Sequence, residues 1–392
     1  MPRITIDVTS AAHQSAGIGR LTREVARHLL QLPGQTQYRL FCMGRPGRAG
    51  NAALAAMQPA PARIPLSISP LNDRWLYRLW FRARLPLPVQ WLSGACDLYH
   101  ATDFVLPPVT PRTRTVLTVH DLTFERDPAS APPRLLPFLK RVVPLSIRRA
   151  THIVADSHAT ARDLADLYAV PASRITVIHS GVDERFSPHD NSSATAVRLA
   201  DLRARYRLPA EPFILTVGTM QRRKNHLTLV RALARLCETS GAGVRLVIAG
   251  GQGWLYEDVQ EEVARLSLAD QVIFTGFVDD ADLPDLYRAA AVFAFPSLYE
   301  GFGIPPLEAM ACGIPVVVSN ASSLPEVVGD AGLLADPLDV DGLAAALNRA
   351  LTDTEWRTLS ISRGLKRAAT FTWRRAAQQL AAVYGQVLSS PV

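Results

Sequence analysis

The chain is 392 residues long, 48% hydrophobic and 20% charged, which excludes a disordered polymer and exceeds one ordinary core, so two domains are expected. Its formal charge of +7 favours anionic partners (nucleotide phosphates, a lipid surface or nucleic acid) without choosing among them. Four scattered cysteines without a C-x-x-C, no signal-peptide pattern and no long apolar run argue against a disulfide framework, a zinc site, export or a membrane span, and place the chain in a reducing cytosol.

Arg3-Ile4-Thr5-Ile6-Asp7-Val8 alternates as a first strand. Gly17-Ile18-Gly19-Arg20 follows, then Leu21, Val25, Leu29 and Leu30 at helical spacing. Strand, glycine loop and helix is the topology of a phosphate-facing turn, although a tight packing turn gives the same short Gly-x-Gly. Residues 46–70 are rich in Ala and Pro with little periodicity and read as loop or short helix. In 74–84, four arginines interleave with five large apolar side chains. That pattern fits a helix packing its Trp and Leu side chains into the core with arginines outside, and it also fits a basic lip on anionic lipid. Val116–Val119 is a buried strand ending in His120-Asp121, where open α/β sheets place ligands; a satisfied core histidine is the alternative. His152–Ala155 is a further strand ending in Asp156-Ser157, with Ser157 capping a helix from His158. After the strand Ile175–Ile178, residues 179–183 leave the first domain. Residues 184–212 form a polar, proline-punctuated hinge region with one helical run.

Phe213–Val217 opens a second sheet, followed by Gly218 and the basic run Arg222-Arg223-Lys224 before a helix from His226. Basic side chains at a strand tip suit a diphosphate, since guanidinium bridges two oxygens and Lys adds a point charge; a solvated charge run is the alternative. Arg245–Ala249 leads into a glycine turn that lacks the G-x-G-x-x-G spacing, so a dinucleotide fold of that type is not expected. Val272–Thr275 precedes Gly276-Phe277-Val278. Asp280-Ala281-Asp282 and Asp339-Val340-Asp341 have a D-x-D spacing, but each stands before a helical run, where capping and first-turn charge explain it; no metal and no cofactor are expected. Cys237 and Cys312 lie in apolar helical patterns and read as buried thiols. The stretch from Phe295 to Val328 reads FPSLYEGFGIPPLEAMACGIPVVVSNASSLPEVV: strand end, Glu300, the turn Gly301-Phe302-Gly303, and a helix start at Ile304 with two prolines. Such a start presents unpaired N–H groups and a positive dipole end to an anion. Glu300 and Glu308 can accept bonds from a diol; equally, Glu308 can neutralise the helix start and Glu300 can sit in solvent.

This segment resembles the retaining glycosyltransferases of family 4, built on the α/β GT-B fold, whose hallmark is two glutamates separated by seven residues, as in Glu300 and Glu308. The continuation Ser319 to Glu326 is similar to the mannosyltransferase branch. The resemblance implies two Rossmann-like domains facing each other across a cleft: an acceptor-binding domain at 1–190, joined by a C-terminal helix at 373–392 that crosses back to it, and a nucleotide-sugar-binding domain at 205–372. It implies that Gly17, Gly19 and Arg20 face the donor, and that His120, with Asp121 beside it, lines the reaction centre and stabilises charge there. It places the donor diphosphate on Arg223, Lys224 and the backbone of Gly301, Phe302, Gly303 and Ile304, next to Gly218. The base then lies near Phe277 and Val278, the ribose on Glu308 and the sugar hydroxyls on Glu300. Some relatives carry an arginine directly after the glycine at 218, where this chain has Thr219.

The implied activity is transfer of a sugar, α-mannose from GDP-mannose being favoured over a UDP-sugar, to a saccharide or lipid-linked acceptor in polysaccharide or O-antigen synthesis. The enzyme is then cytoplasmic, with a peripheral membrane contact through 74–84 as the lipid alternative and no nucleic-acid partner. Two other classes weigh against it. An NAD(P)-dependent Rossmann enzyme should show the glycine fingerprint that is missing here, and a non-catalytic nucleotide-sugar binder would release no nucleotide.

Overall fold

The computed structural model describes residues 1–390 except 15–16, 60–62, 191, 241–242, 252 and 254–255. Contacts divide the chain into two units. Met1–Arg126, Ala131–Gly181 and the segment from Thr372 form the first; Asp127–Ser130 and Val182–Phe371 form the second.

In the first unit, β1 (Arg3–Asp7), β2 (Gln37–Met43), β3 (Leu66–Ser69), β4 (Leu98–Ala101), β5 (Arg114–Val119), β6 (His152–Ala155) and β7 (Ile175–Val177) form a parallel sheet in the order β3-β2-β1-β4-β5-β6-β7. Strands such as β4 and β6 are buried along their whole length, which a parallel sheet covered by helices on both faces requires. Because the order reverses between β1 and β4, the ends of these two strands flank the crevice where such sheets bind ligands.

The C-terminal helix Trp373–Ser389 belongs to this unit. Ala376, Ala377, Leu380, Val383, Tyr384 and Val387 recur at helical spacing and are buried against the same core as the helix Ile18–Leu30. Its Tyr384 hydroxyl bonds His100 Nδ1 at 2.6 Å, while His100 Nε2 meets the Thr118 hydroxyl at 2.8 Å. Burial pushes His100 down to about 3, so the ring stays neutral. Tyr384→Phe leaves one ring nitrogen unpartnered in the core, and urea denaturation should report a loss of about 1–3 kcal/mol.

Residues 46–70, expected as loop or short helix, hold the helix Arg48–Ala56 and the edge strand β3. In the arginine-rich segment, Asp73–Tyr77 is α-helical and Arg78–Arg82 is a turn of π-helix. Leu76, Trp80 and Phe81 are buried while Arg74, Arg78, Arg82 and Arg84 are exposed, which is the packing alternative. Trp75 departs from it at 54% exposure, with the Arg78 guanidinium 4.8 Å from its ring centre. Among the described residues no helix is long and apolar enough to cross a membrane.

The second unit repeats the design with β8 (Phe213–Val217), β9 (Arg245–Ala249), β10 (Val272–Gly276), β11 (Val292–Phe295), β12 (Val316–Ser319) and β13 (Leu333–Ala335), all parallel, in the order β10-β9-β8-β11-β12-β13. Here the order reverses between β8 and β11. Asp339 caps its helix by accepting from the Gly342 N–H, as capping requires. Asp282 does not cap; its carboxylate accepts from Arg205 and the Tyr206 hydroxyl, each at 2.7 Å. Cys312 is buried, whereas Cys237 is half-buried rather than buried, because it lies at the margin of the apolar face of its helix.

Candidate active site

The crevice between β8 and β11 in the second unit collects opposite charges from distant parts of the chain. Beyond β8, Gly218 adopts φ +156° and the Lys224 side chain lies over it, its Cε 3.3 Å from where a Cβ would stand. Gly250, its neighbour across the β8–β9 register, has φ +155°, and a Cβ there would meet the Gly218 carbonyl oxygen at 2.1 Å. Both positions thus need glycine. Arg222–Lys224 forms a 3-10 turn, and Asn225 then takes a left-handed conformation and starts the helix His226–Ser240. This turn aims Lys224 Nζ at Glu300 Oε1, 2.7 Å away and 4.5 Å from the Phe295 ring centre. Arg223 pairs with the other Glu300 oxygen and donates to the Tyr299 carbonyl at 2.9 Å.

Glu300 is 7% exposed. Burial alone would push its carboxyl up, but the Arg223 and Lys224 charges outweigh that and hold it at about 2. Its loop is fixed by serines of the following segment. The Ser322 hydroxyl accepts from the Glu300 N–H at 2.8 Å, and the Ser323 hydroxyl serves the Glu300 and Phe302 carbonyls at 2.9 and 2.6 Å. Gly303, at φ +115°, begins the helix Ile304–Ala311, and a Cβ on it would strike Leu324 at 2.7 Å. Phe302 is buried with its ring edge against Phe371. Phe277, by contrast, is 63% exposed just past β10, beside buried Val278. Glu308, expected beside a ribose, is only 2% exposed, and its Oε2 takes the Tyr287 hydroxyl at 2.8 Å. The helix carries that side chain toward the core.

In the first unit His120 stands at the tip of β5 and is 4% exposed. The register Val119↔Ala155 places it beside Asp156, and Nδ1 lies 2.8 Å from Asp156 Oδ2, while Nε2 lies 2.9 Å from the Thr102 carbonyl. Both partners are pure acceptors, so a ring that satisfies both donates twice and carries a charge. Burial works against this, but Asp156 and then Asp103 outweigh it and raise the ring to about 9. A ring held protonated at neutral pH suits charge stabilisation and not proton abstraction. Asp121 lies next to it in sequence, but its carboxylate accepts from the Thr123 N–H and so starts the short helix Thr123–Arg126. Gly17, at φ +57°, precedes the helix Ile18–Leu30, and Gly19 is required by packing, since a Cβ would lie 2.1 Å from the Gln14 carbonyl oxygen. Arg20 occupies the first turn of that helix.

Asp156 stands before the cap at Ser157, whose hydroxyl accepts from the Thr160 N–H, but the acid also belongs to His120. Its signal was available, because residues that end neighbouring parallel strands share one sheet edge. Tyr287, Ser322 and Ser323 had no comparable signal.

The chain's two halves match two family models: Glycosyltransferase Family 4 over residues 15–186 and Glycosyl transferases group 1 over residues 201–373. It is 35% identical over 287 residues to the O-antigen chain mannosyltransferase B of Escherichia coli, covering 73% of this chain and 74% of that one. To the serotype-specific mannosyltransferase WbdA of the same species it is 32% identical over 312 residues, 77% of this chain but 37% of that one. A sucrose-phosphate synthase from Thermosynechococcus elongatus superposes with TM-score 0.72 at 22% identity over 100% of both chains. Anabaena Alr3699/HepE, solved with UDP and glucose, gives 0.74 at 22% identity, over 98% of this chain and 100% of that one. These neighbours bear on the fold alone, which is GT-B, with two parallel-sheet Rossmann-like domains. With both halves accounted for and a relative of this coverage, the chain belongs to glycosyltransferase family 4 and is a glycosyltransferase.

Proposed function

We propose that the enzyme moves an α-mannosyl group from GDP-mannose, with retention, to a saccharide or lipid-linked saccharide in cell-surface polysaccharide or O-antigen synthesis. The observation that carries this reading is the cluster of Arg223, Lys224 and Glu300 at the strand-order reversal of the second unit. There the donor diphosphate takes the place now held by the Glu300 carboxylate on the two cations, and Glu300 turns to the sugar hydroxyls. The N–H groups of Gly303 and Ile304 at the start of the helix Ile304–Ala311 add donors to the phosphate, while Pro305 and Pro306 have none to give. The exposed Phe277 ring offers a flat surface to the base. In the reaction the bond between the sugar C1 and the diphosphate oxygen breaks, and a bond from C1 to the acceptor oxygen forms. The acceptor proton leaves with the nucleoside diphosphate. Fixed cations and N–H groups aimed at the departing oxygens supply most of the rate.

Mannose rests on the names of the two Escherichia coli relatives. A UDP-sugar donor is the second reading, supported by the fold shared with Alr3699/HepE solved with UDP-glucose. In membrane contact, the exposed Arg74, Arg78, Arg82 and Arg84 would hold the enzyme against anionic headgroups. A thermal-shift series with GDP, UDP and ADP tests the donor. GDP at a hundredfold excess over its Kd should stabilise by about 2.7 kcal/mol, and an equal response to all three, or none, would end the GDP reading.

A further inference from the structure

One member of the basic run takes no part in the cluster of Arg223, Lys224 and Glu300. Arg222 opens the same 3-10 turn but is exposed, with no ion pair among the described residues. It lines instead a chamber of about 340 Å³, inside the roughly 300–1,000 Å³ range of small-molecule sites. Every residue of its wall belongs to the second unit. The wall is made by the start of the helix His226–Ser240, by Asp258 and Val259 of the helix Tyr256–Arg265, and by Leu298 and Leu338 beyond β11 and β13. Among the described residues, Arg223, Lys224 and Glu300 take no part in it.

His226 is the informative member. It is 3% exposed, and its imidazole has no hydrogen bond or ion pair among the described residues. The neighbouring Asn225 is already engaged: its amide donates to the Pro296 and Pro337 carbonyls, and its oxygen accepts from the Thr228 hydroxyl at 2.7 Å. Burial, and after it the Lys224 charge, pushes the His226 ring down to about 4, so at neutral pH it offers one N–H donor and one acceptor nitrogen. A buried ring with both nitrogens idle is unfavourable, and a ligand that bonds to it from the chamber relieves the penalty.

The sign of the ligand follows from the rest of the wall. The helix His226–Ser240 is 15 residues long, and its first N–H groups and positive dipole end stand beside the idle ring. Arg222 adds an unneutralised guanidinium, whereas Arg231 shares Glu262 with Arg265. Asp258, the one acid of the wall, lies in the first turn of its own helix and is offset by that helix's dipole. Leu227, Val259, Leu298 and Leu338 make the remainder apolar, Leu338 being 76% exposed.

From this placement we infer that the chamber is a second ligand site of the second unit, taking a small organic oxyanion: a phosphate or carboxylate head on an apolar body. Arg222 pairs with the head, His226 donates a hydrogen bond to it, and the leucines cover the body. The site stands apart from the transfer reaction and holds whichever nucleotide-sugar the enzyme uses.

The test titrates the full chain with phenyl phosphate and with benzoate, which carry the two heads on the same apolar body, with and without a saturating mixture of GDP and UDP. The His226 imidazole resonances, assigned by their absence in His226→Phe, are expected to shift in NMR spectra, and the probe that shifts them names the head. Calorimetry should show Arg222→Ala and His226→Phe each weakening that probe tenfold or more, with the nucleotides changing neither affinity. Arg222 is exposed, so its replacement does not threaten folding and decides the matter should His226→Phe prove unstable. The inference is overturned if neither probe moves the His226 resonances, or if the variants bind as the parent does. Displacement of the probe by the nucleotides also overturns it, by placing the anion on Arg223 and Lys224.

Discussion

Lys224→Ala is expected to lower kcat/KM for the nucleotide-sugar by about 100- to 1,000-fold, the loss typical when one preorganised donor to developing charge is removed. Most of it should appear as weaker donor binding, because Lys224 sits 2.7 Å from the Glu300 carboxylate, the anion that the proposed diphosphate would replace. The same substitution has a second, independent signature. Glu300 is held at about 2, below the unfolded value near 4.5, so its ion pairs stabilise the fold fully above pH 4.5. That contribution is lost as pH falls from 4.5 toward 2. Without Lys224 the carboxylate keeps only Arg223. A loss of about 2–3 kcal/mol at neutral pH is then expected, less than the roughly 3–5 kcal/mol seen when a buried charge loses its sole partner. Acid unfolding should begin at higher pH. Calorimetric titration with GDP and an acid-denaturation series measure the two effects; a variant that transfers sugar and resists acid like the parent would remove the cluster from the site.

Asp156→Asn is the second large effect, and its pH dependence runs in the opposite direction. His120 is raised to about 9 in the folded chain from an ordinary value near 6.5. The pair therefore stabilises fully below pH 6.5, and its contribution fades as pH rises from 6.5 through 9. A shift of this size corresponds to about 3 kcal/mol below pH 6.5. Asn at 156 removes the negative charge that holds the proton, so the variant should lose about that much stability at pH 6, and far less near pH 9.5. Turnover at neutral pH should fall because the buried ring becomes neutral. Urea titrations across this pH range, paired with kcat, decide the matter: parallel stability curves for parent and variant would show that His120 is neutral in the native enzyme.

Much of the proposed donor site was legible from residue order. Gly218, Arg223, Lys224, Glu300 and Gly303 were each marked by a strand end, a helix start or a turn, and the structure joins Arg223, Lys224 and Glu300 into one cluster. Glu308 was legible as a carboxylate on the helix after the glycine turn but not as a buried one. Its orientation depends on Tyr287, twenty-one positions earlier, whose hydroxyl it takes. Asp121 and Asp156 show the same limit from the other side. Both follow β-strands, yet Asp121 accepts from the Thr123 N–H at the start of the helix after it and Asp156 reaches the histidine beyond the neighbouring strand.

By itself the sequence determined the α/β class, the paired sheets, the places of the glycine turns and the families of residues at their tips. Those depend on periodicities of two and 3.6 residues and on backbone conformations set within a few positions. Tertiary structure alone decided which tips meet. A parallel strand can neighbour any other that a crossover reaches, so strand order, and with it the encounters of His120 with Asp156, Lys224 with Glu300 and His100 with Tyr384, is written in no local pattern. The idle ring of His226 belongs to the same class, since what a buried group lacks is known only after everything around it has been placed.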